Sequence, residues 1–287
     1  MTRVVVTGGS GKLGRAVIKD LLAHGYDVLN VDARPGTGDA KFVRVDLTEY
    51  GQVVEALSHV DNRVAGPVDA VVHLAAIPAP GLATNAATFR NNMLSSYNVF
   101  AAARHVGIRT VVYASSETVL GLPFDEPPPY LPVDEEYSRP ESTYSLVKHL
   151  EETMAAQFAR WLPGTKWIGL RFSNVMDPGD YAVFPSYDSD VQSRRWNLWG
   201  YIDARDGAQA VRKSIEWDGT GCEVFVIANA DTVMSRPSAE LAAEVFPGVD
   251  ITRPVSGNDS LLGIEKARRL LGYEPAHSWR TDGATGD

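Results

Sequence analysis

The sequence has a single cysteine, Cys222, among 287 residues, which excludes an internal disulfide. It has no apolar run near the ~20 residues of a membrane-spanning helix, and no leader-like segment precedes the apolar residues at Val4. The net charge of −9 argues against a basic surface for nucleic acid or membranes. We therefore expect a cytoplasmic protein with neither kind of partner and no metal site. Cys222 is predicted to be an unreactive thiol in a strand.

A glycine-rich turn between a strand and a helix stands near the start of the chain. Residues 4–6 are three consecutive valines, which predict a strand buried on both faces. Gly8, Gly11 and Gly14 follow, and apolar residues recur at helical spacing from Leu13 onward. A strand–turn–helix unit of this kind holds a pyrophosphate at the helix N-terminus. The turn therefore predicts a dinucleotide site.

An acidic residue supports that prediction. Asp32 ends the next apolar run, about twenty residues past the glycines, where a carboxylate that binds a ribose is expected. The alternative is a flavodoxin-like turn with no dinucleotide and a solvated Asp32. Arg34 could meet the 2′-phosphate of NADP, but the charge of Asp32 would repel that phosphate, so NAD is favoured. Whether Arg34 stacks on the adenine or is solvated stays open.

The order of apolar runs predicts an α/β fold with a doubly wound parallel sheet and a small C-terminal substrate lobe. Predicted strands are residues 4–6, 27–32, 42–47, 68–76, 109–116, 166–172 and 223–230. Predicted helices, after the one that begins in the glycine turn, are residues 48–57, 86–105, 142–161, 201–217, 238–246 and 261–271. Residues after Ser278 are expected to fray. Residues 1–172, with 200–230 returning to them, form the predicted NAD-binding domain, and 173–199 with 231–287 form the substrate lobe.

Three residues are predicted to carry the chemistry. Tyr144 and Lys148 are four apart on a predicted helix, hence on one face, and Ser116 ends a predicted strand at the ligand side of the sheet. Bringing a phenol of pKa ~10 to ~7 takes about 4 kcal/mol. An ammonium roughly 4 Å away supplies about that much at an effective dielectric constant of about 20. Tyr144 is thus the predicted base, activated by Lys148, and Ser116 the hydrogen-bond partner of the reacting oxygen. A Tyr-x-x-x-Lys pair also arises by chance on amphipathic helices. The catalytic interpretation is favoured here because the pair follows both the glycine turn and a predicted strand that ends in two serines.

These motifs together resemble the extended short-chain dehydrogenase/reductases, the NAD-dependent epimerase/dehydratase group. The matching segments are residues 7–14, 73–76, 114–121, 171–175 and 201–206, with Asn92, Asn98, Tyr144 and Lys148. The resemblance implies a Rossmann sheet that binds NAD, and a homodimer in which helices 86–105 and 142–161 pair across a two-fold axis. Burial of those helices within one chain is the alternative to dimerisation.

The predicted cofactor contacts follow from the glycine turn, Asp32 and the matched motifs. They are Gly8, Ser10, Gly11, Lys12, Leu13, Gly14, Asp32, Arg34, Asp46, Leu47, Leu74, Ala75, Ala76, Asn92, Ala114, Tyr144 and Lys148. For Asp46, capping of the following helix is an alternative to bonding the adenine. His73, in one of the matched motifs, is expected to be a packed strand residue.

Departures from the family pattern bear on the reaction. Related 4,6-dehydratases have an Asp-Glu pair where this chain has Glu117 and Thr118, and related epimerases have a tyrosine at the position of Leu120. The short C-terminal lobe resembles that of uronate dehydrogenases and suits a small sugar. However, Pro78 and Thr118 stand where the serine and histidine that hold the uronate are expected.

The predicted substrate contacts combine hydroxyls, an amide and arginines. They are Ser115, Ser116, Glu117, Thr118, Asn174, Arg194 and Arg195, with Trp196, Trp199 and Tyr201 as further candidates. Adjacent arginines and tryptophans suit an anionic sugar through bidentate bonding and stacking. A salt-bridged surface loop with buried tryptophans is an equally open interpretation.

The sequence therefore predicts an NAD-dependent oxidoreductase that transfers a hydride from a sugar hydroxyl, of an aldose, a uronate or a related polyol, to NAD. A nucleotide-sugar 4-epimerase is the first alternative. A non-catalytic NAD(H)-binding regulator is the second, although such relatives usually lose the tyrosine or the lysine.

Overall fold

The computed structural model describes residues 1–36, 38–58 and 67–282. The strands are β1 (Arg3–Thr7), β2 (Asp27–Asp32), β3 (Lys41–Arg44), β4 (Ala70–His73), β5 (Thr110–Ser116), β6 (Tyr130–Leu131), β7 (Lys166–Phe172), β8 (Val175–Met176), β9 (Ile202–Asp203), β10 (Gly221–Ile227) and β11 (Asp250–Ile251). The helices are α1 (Lys12–Ala23), α2 (Tyr50–Ser58), α3 (Asn85–Val106), α4 (Thr143–Trp161), α5 (Phe184–Tyr187), α6 (Ala204–Glu216), α7 (Ser238–Val245), α8 (Glu265–Leu271) and α9 (Trp279–Asp282). Among the residues described, no helix is long and apolar enough to cross a membrane.

The central sheet has seven parallel strands in the order β10-β7-β5-β4-β1-β2-β3. The chain runs outward from β1 to β3 and then returns to the other side of β1 with β4. In open parallel sheets, ligands bind beyond the carboxyl ends of the strands at such a reversal. The predicted doubly wound α/β sheet is confirmed.

The valines of β1 show why this sheet is covered on both faces. Val4 and Val6 are fully buried in a core that includes Val17 of α1, whereas Val5 is fully buried in a second core with Phe100 of α3. Successive side chains of a strand point to opposite faces, so an uninterrupted apolar run serves two cores. Helices α1 and α6 cover one face, and α2, α3 and α4 cover the other.

Local capping sets the ends of the two long helices. Ser142 and Ser145 form a reciprocal capping box at the start of α4, with each side chain accepting the other's backbone N–H. The side chain of Thr84 caps α3, which ends before Gly107 in the left-handed conformation (φ 88°). The capping box places Tyr144 in the first turn of α4.

Several predicted boundaries are wrong. Strand β3 ends at Arg44 because Asp46 Oδ1 accepts hydrogen bonds from the backbone and hydroxyl of Thr48, and this turn delays α2 to Tyr50. Strand β4 is limited to four residues of the predicted 68–76. Residues 261–264 lie before the helix that was expected to include them, since Leu262 bridges to Val133.

The expected fraying after Ser278 is wrong for residues 279–282, which form α9. The indole of Trp279 donates a hydrogen bond to the carbonyl of Thr232, and Arg280 pairs with Asp231. Residues 283–287 of that prediction lie outside the described residues. The division into an NAD-binding domain and a substrate lobe stays a prediction, although the β8–β9 and β6–β11 pairs do lie outside the main sheet.

Candidate active site

A cavity of about 1440 Å³ opens where the strand order reverses. Residues that line it from the predicted cofactor site are Gly8, Ser10, Gly11, Lys12, Leu13, Gly14, Asp32, Arg34, Asp46, Leu47, Leu74, Ala75, Ala76 and Ala114. Those that line it from the predicted catalytic and substrate sites are Ser115, Ser116, Glu117, Thr118, Tyr144, Lys148, Asn174 and Trp196. The fold therefore brings most residues of the three predicted sets to one cavity.

The glycine turn is packed too closely for side chains. Gly8 has a φ of +70°, and a Cβ there would lie 2.6 Å from the backbone nitrogen of Ala75. A Cβ on Gly14 would lie 2.2 Å from the carbonyl oxygen of Gly8. Helix α1 begins directly after Gly11, and a glycine at this N-cap position has no side chain that could accept from the first backbone N–H groups of the helix. The backbone N–H groups at this end can therefore bind an anion.

Asp32 lies at the end of β2 and orders the chain around the cavity. Its Oδ2 accepts from the backbone N–H of Ser10 at 3.1 Å, and its Oδ1 accepts from that of Arg34 at 3.2 Å. The hydroxyl of Ser10 donates to the carbonyl of Arg34 at 2.7 Å. These bonds join the glycine turn to the end of β2, with a carboxylate in the cavity wall.

Asn92, a predicted cofactor contact, is hydrogen-bonded to the backbone of the protein. It is buried on α3, and its amide group accepts from the backbone N–H of Ile77 (2.8 Å) and donates to the same residue's carbonyl (3.0 Å). It is absent from the described lining of the cavity. Its structural effect is to hold the loop after β4, which does line the cavity.

Ser116, Tyr144 and Lys148 lie together at the other end of the same cavity, all of them buried. The Tyr144 side chain lies near the hydroxyl of Ser116, which lowers the pKa of the phenol. Lys148 Nζ is 5.9 Å from the centroid of the Tyr144 ring and donates to the carbonyl of Ala114 at 2.8 Å. These three side chains meet on the side of the sheet that carries the glycine turn.

The charges around this triad differ from the sequence-based expectation. Burial raises the pKa of Tyr144, and the nearby carboxylate of Glu151 acts in the same direction, whereas Lys148 and the hydroxyl of Ser116 act against them. The contribution of Lys148 has the expected downward direction, but burial and Glu151 outweigh it, so the net pKa shift of Tyr144 is upward. Burial also opposes the charge of Lys148, but Glu151 and Tyr144 outweigh it and raise the pKa of the lysine.

Glu117 is a second buried acid beside the triad. Its Oε2 accepts from the hydroxyl of Ser173 at 2.5 Å, and its Oε1 accepts from Asn197 at 3.3 Å. Burial raises the pKa of Glu117 to about 7, although these hydrogen bonds act against it. A carboxyl group poised near neutrality can exchange a proton with a ligand in the cavity.

The two arginines predicted as substrate contacts have structural partners instead. Arg194 is buried, donates to the carbonyl of Gly200 at 2.9 Å, and lies 4.9 Å from the ring centroid of Trp196. Arg195 forms an ion pair with Asp125 at 3.2 Å. Neither arginine is among the described residues that line the cavity. Both belong to the short 3-10 turn over Val191–Asn197, and the charge of Arg194 acts on the lining residue Glu117.

Trp199 and Tyr201 are also structural, and both are fully buried. The indole of Trp199 donates to the carbonyl of Val191, and the hydroxyl of Tyr201 donates to Asp231. Ser115 does border the cavity, but its hydroxyl donates to Glu152 at 2.5 Å. The salt-bridged, packed interpretation of this segment is therefore the better one.

Sequence reasoning missed Glu151. Its carboxylate accepts from Lys148 Nζ at 2.9 Å and from the hydroxyl of Ser96 at 2.7 Å, and both members of the ion pair are at most 3% exposed. An acid three residues after the lysine, on the face of the helix that carries Tyr144, is the signal that could have indicated it.

Comparison with known proteins places these features in context. The family model described as the NAD dependent epimerase/dehydratase family matches residues 4–228. The L-arabinose 1-dehydrogenase (NAD(P)(+)) of Haloferax volcanii is 25% identical over 285 residues, covering 96% of each chain. The UDP-glucose 4-epimerase of Rhizobium meliloti is 24% identical over 317 residues, covering 96% of this chain and 92% of that one. A solved structure of a mutated uronate dehydrogenase is 20% identical with a TM-score of 0.66, covering 100% of this chain and 87% of that chain, which shows likeness of fold.

Proposed function

This chain belongs to the NAD-dependent epimerase/dehydratase family, and we propose that it is a dehydrogenase that oxidises a hydroxyl group of a small sugar. The observation that carries the proposal is the meeting of Ser116, Tyr144 and Lys148 in the cavity that begins at the glycine turn. An acid–base group, a cation beside it and a hydroxyl that orients the substrate are what alcohol oxidation requires of a protein.

The residues around the turn fit a dinucleotide. The positions of Gly8 and Gly14 admit no side chain, and the exposed end of α1 suits a pyrophosphate. Asp32 is placed to accept from ribose hydroxyls and would repel a 2′-phosphate, which favours NAD over NADP. When bound, NAD supplies the acceptor for the hydride that leaves the substrate carbon.

The proposed chemistry of the chain itself concerns the hydroxyl proton. Ser116 accepts or donates a hydrogen bond at the reacting oxygen and fixes its position. Tyr144, as phenolate, takes the proton from that oxygen while the carbon–hydrogen bond breaks and the carbonyl forms. The ammonium of Lys148 stabilises the phenolate. Each of these roles requires only groups that line the same cavity.

The charges at the Ser116 end favour a neutral sugar. Lys148 is the cation among the described lining residues at this end, and Glu151 already neutralises it. Lys12, Arg34 and Arg44 line the end nearer Asp32. Arg194 and Arg195 are bonded within the protein and are absent from the described lining, so they do not offer an anionic substrate such as a uronate a direct partner, and we infer an aldose or another neutral polyol. The arabinose-oxidising relative agrees with this inference.

The likeness to a UDP-glucose 4-epimerase favours epimerisation as a second candidate. The two candidates differ in net reduction of NAD. We would incubate the protein with NAD and a panel of aldoses, uronates and UDP-sugars, and follow both NADH absorbance and sugar composition. NADH formation with a free aldose supports the proposal, whereas interconversion of UDP-sugars without net NADH would replace it. Binding of NAD with neither reaction, across the panel, would favour a regulator.

We also infer a homodimer. Phe89, Leu94 and Tyr97 of α3 and Leu146 of α4 are between 40 and 52% exposed, and the two helices pack side by side. Apolar side chains of this size on adjacent helices suit a helical interface between two copies. Light scattering during gel filtration measures the mass, and a monomer at micromolar concentration would contradict the inference.

A further inference from the structure

Lys148 has a partner that the proposed function does not use. Its ammonium and the carboxylate of Glu151 form an ion pair at 2.9 Å, three residues apart on α4 and shielded from solvent. Burying two charges is costly, so such a pair is weak evidence of a contribution to stability. Lys148 lies one helical turn from Tyr144 and Glu151 lies two, and the charges of both affect the pKa of the proposed base.

A chain of hydrogen bonds leads across the sheet to Glu151. Ser96 has one hydroxyl proton and donates it to Glu151, so its oxygen accepts from His73 Nε2 at 3.1 Å. Burial lowers the pKa of His73 to about 3, so the ring is neutral and its Nδ1 accepts from the hydroxyl of Thr7 at 2.7 Å. In this arrangement every proton from β1 through β4 to α3 points toward Glu151. Burial raises the pKa of Glu151, whereas the ammonium of Lys148 and the hydroxyl of Ser96 act against burial and favour the carboxylate.

We propose that Glu151 is a positioning residue whose carboxylate takes up the charge of Lys148 and thereby moves proton release from the Tyr144–Lys148 pair to higher pH. The inference rests on the proposed function, because it takes Tyr144 as the base. With Glu151 present, the three groups lose a proton from a neutral cluster and become an anion. Without it, they lose a proton from a cation and become neutral. The second loss occurs at lower pH in a buried site, whichever of the two groups releases the proton.

The surrounding elements do not cancel this effect. Glu152, also on α4, is neutralised by Arg171 of β7 through two hydrogen bonds of 2.9 Å. His73 of β4 is neutral. Glu117, in the turn after β5, also raises the pKa of Tyr144, but by less than Glu151 does. Glu151 is therefore the anion that decides the charge at Lys148.

The test compares two substitutions that separate charge from shape. Glu151→Gln keeps the size and removes the charge, and Glu151→Asp keeps the charge and shortens the side chain. Tyrosinate absorbance in the ultraviolet is titrated in the full-length protein, with and without NAD. Because the chain has 11 tyrosines, the signal of Tyr144 is the difference from the same protein carrying Tyr144→Phe. Glu55→Gln, an exposed change of equal charge on α2, is the control.

We expect Tyr144 to ionise about one pH unit lower or more in Glu151→Gln, close to wild type in Glu151→Asp, and unchanged in Glu55→Gln. An unchanged value in folded Glu151→Gln, or an equal shift in Glu151→Asp, would overturn the proposal. If the glutamine variant does not fold, Glu151→Ala, which leaves room for water beside Lys148, takes its place with the same expectation. The titration needs no sugar, so failure of the sugar screen leaves this result interpretable. Once an oxidised sugar is known, the acid limb of kcat should move by the same amount.

Discussion

The two glycines at either side of the start of α1 have different roles, and alanine substitutions should separate them. In Gly14→Ala, the new Cβ lies 2.2 Å from the oxygen of Gly8 and 2.6 Å from the Cα of Gly9, so backbone must move. In Gly11→Ala, the new Cβ meets, within 4 Å among the described atoms, only the oxygen of Gly8 at 3.3 Å, and Gly11 is one of the residues that line the cavity. The first change disturbs the packing of the turn, and the second changes the surface of the cavity.

The expected magnitudes follow from those distances. Overpacking in Gly14→Ala costs about 1–3 kcal/mol, offset by about 1 kcal/mol because alanine is the better helix former. The melting temperature should fall by roughly 2–4 °C per kcal/mol of net loss. Gly11→Ala should change the free energy of unfolding by about 0.5 kcal/mol or less. NAD binding should weaken at least about tenfold in both, since a tenfold change takes only 1.4 kcal/mol.

Thermal unfolding by circular dichroism and calorimetric titration with NAD measure the two effects. The critical result is Gly11→Ala, in which stability is kept while binding is lost. Wild-type affinity for NAD in this variant would refute the placement of the cofactor at the turn. A melting temperature in Gly14→Ala above that of the wild type would show that the close approach of Gly14 to Gly8 is wrong.

Three further predictions follow from single side chains. Tyr144→Phe should lower kcat by about 10²-fold or more while leaving NAD affinity within a few-fold, because general acid–base catalysis contributes about 10²–10⁴-fold to the rate. Turnover near wild type in the NADH assay would exclude Tyr144 as the base. Arg195→Ala should leave kcat and KM within about two-fold, since its ion pair with Asp125 lies outside the described cavity lining, and a large rise in KM would restore it as a substrate contact. Burial raises the pKa of Glu117 from its ordinary 4.5 to about 7, so the folded protein binds this proton more tightly than the unfolded chain, and the free energy of unfolding falls as pH rises between these values. Glu117→Gln should remove up to about 3 kcal/mol of that decline. An identical pH dependence of urea unfolding in the variant would contradict this prediction.

The periodicity of apolar residues was sufficient to predict the sheet because the signal is local. Residues 4–6 are apolar at every position, and the structure uses both of their faces. The same holds for the helix that carries Tyr144 and Lys148, whose start is set by a capping box within four residues of sequence. Boundaries were predicted less well where a side chain turns the backbone, as Asp46 does after β3.

Among the predicted substrate contacts, the two arginines do not line the cavity, because the position of a long side chain depends on direction, which sequence spacing does not encode. Arg194 and Arg195 stand beside a tryptophan in the sequence, and that adjacency is compatible with a cavity or with a packed turn. The structure selects the packed turn, which ends with Leu198 and Trp199 at φ values of 55° and 57°. Left-handed backbone at two successive non-glycine residues is a tertiary outcome that no local propensity favours.

Glu151 shows why the spacing of Tyr144 and Lys148 does not by itself determine the acidity of the phenol. Four residues of separation place an ammonium beside a hydroxyl, and that geometry is the same whether the lysine is unpaired or bonded to a carboxylate. At an effective dielectric constant of about 20, one charge at roughly 4 Å contributes about 4 kcal/mol, so a second charge of opposite sign at similar range can offset most of it. Glu151, 2.9 Å from the ammonium of Lys148 and bonded to Ser96, supplies a charge of that sign, and its effect on the pKa of Tyr144 is smaller than that of Lys148. We therefore expect the pH range of the proposed base to depend on Glu151, one helical turn beyond the motif, as well as on Lys148 and on burial.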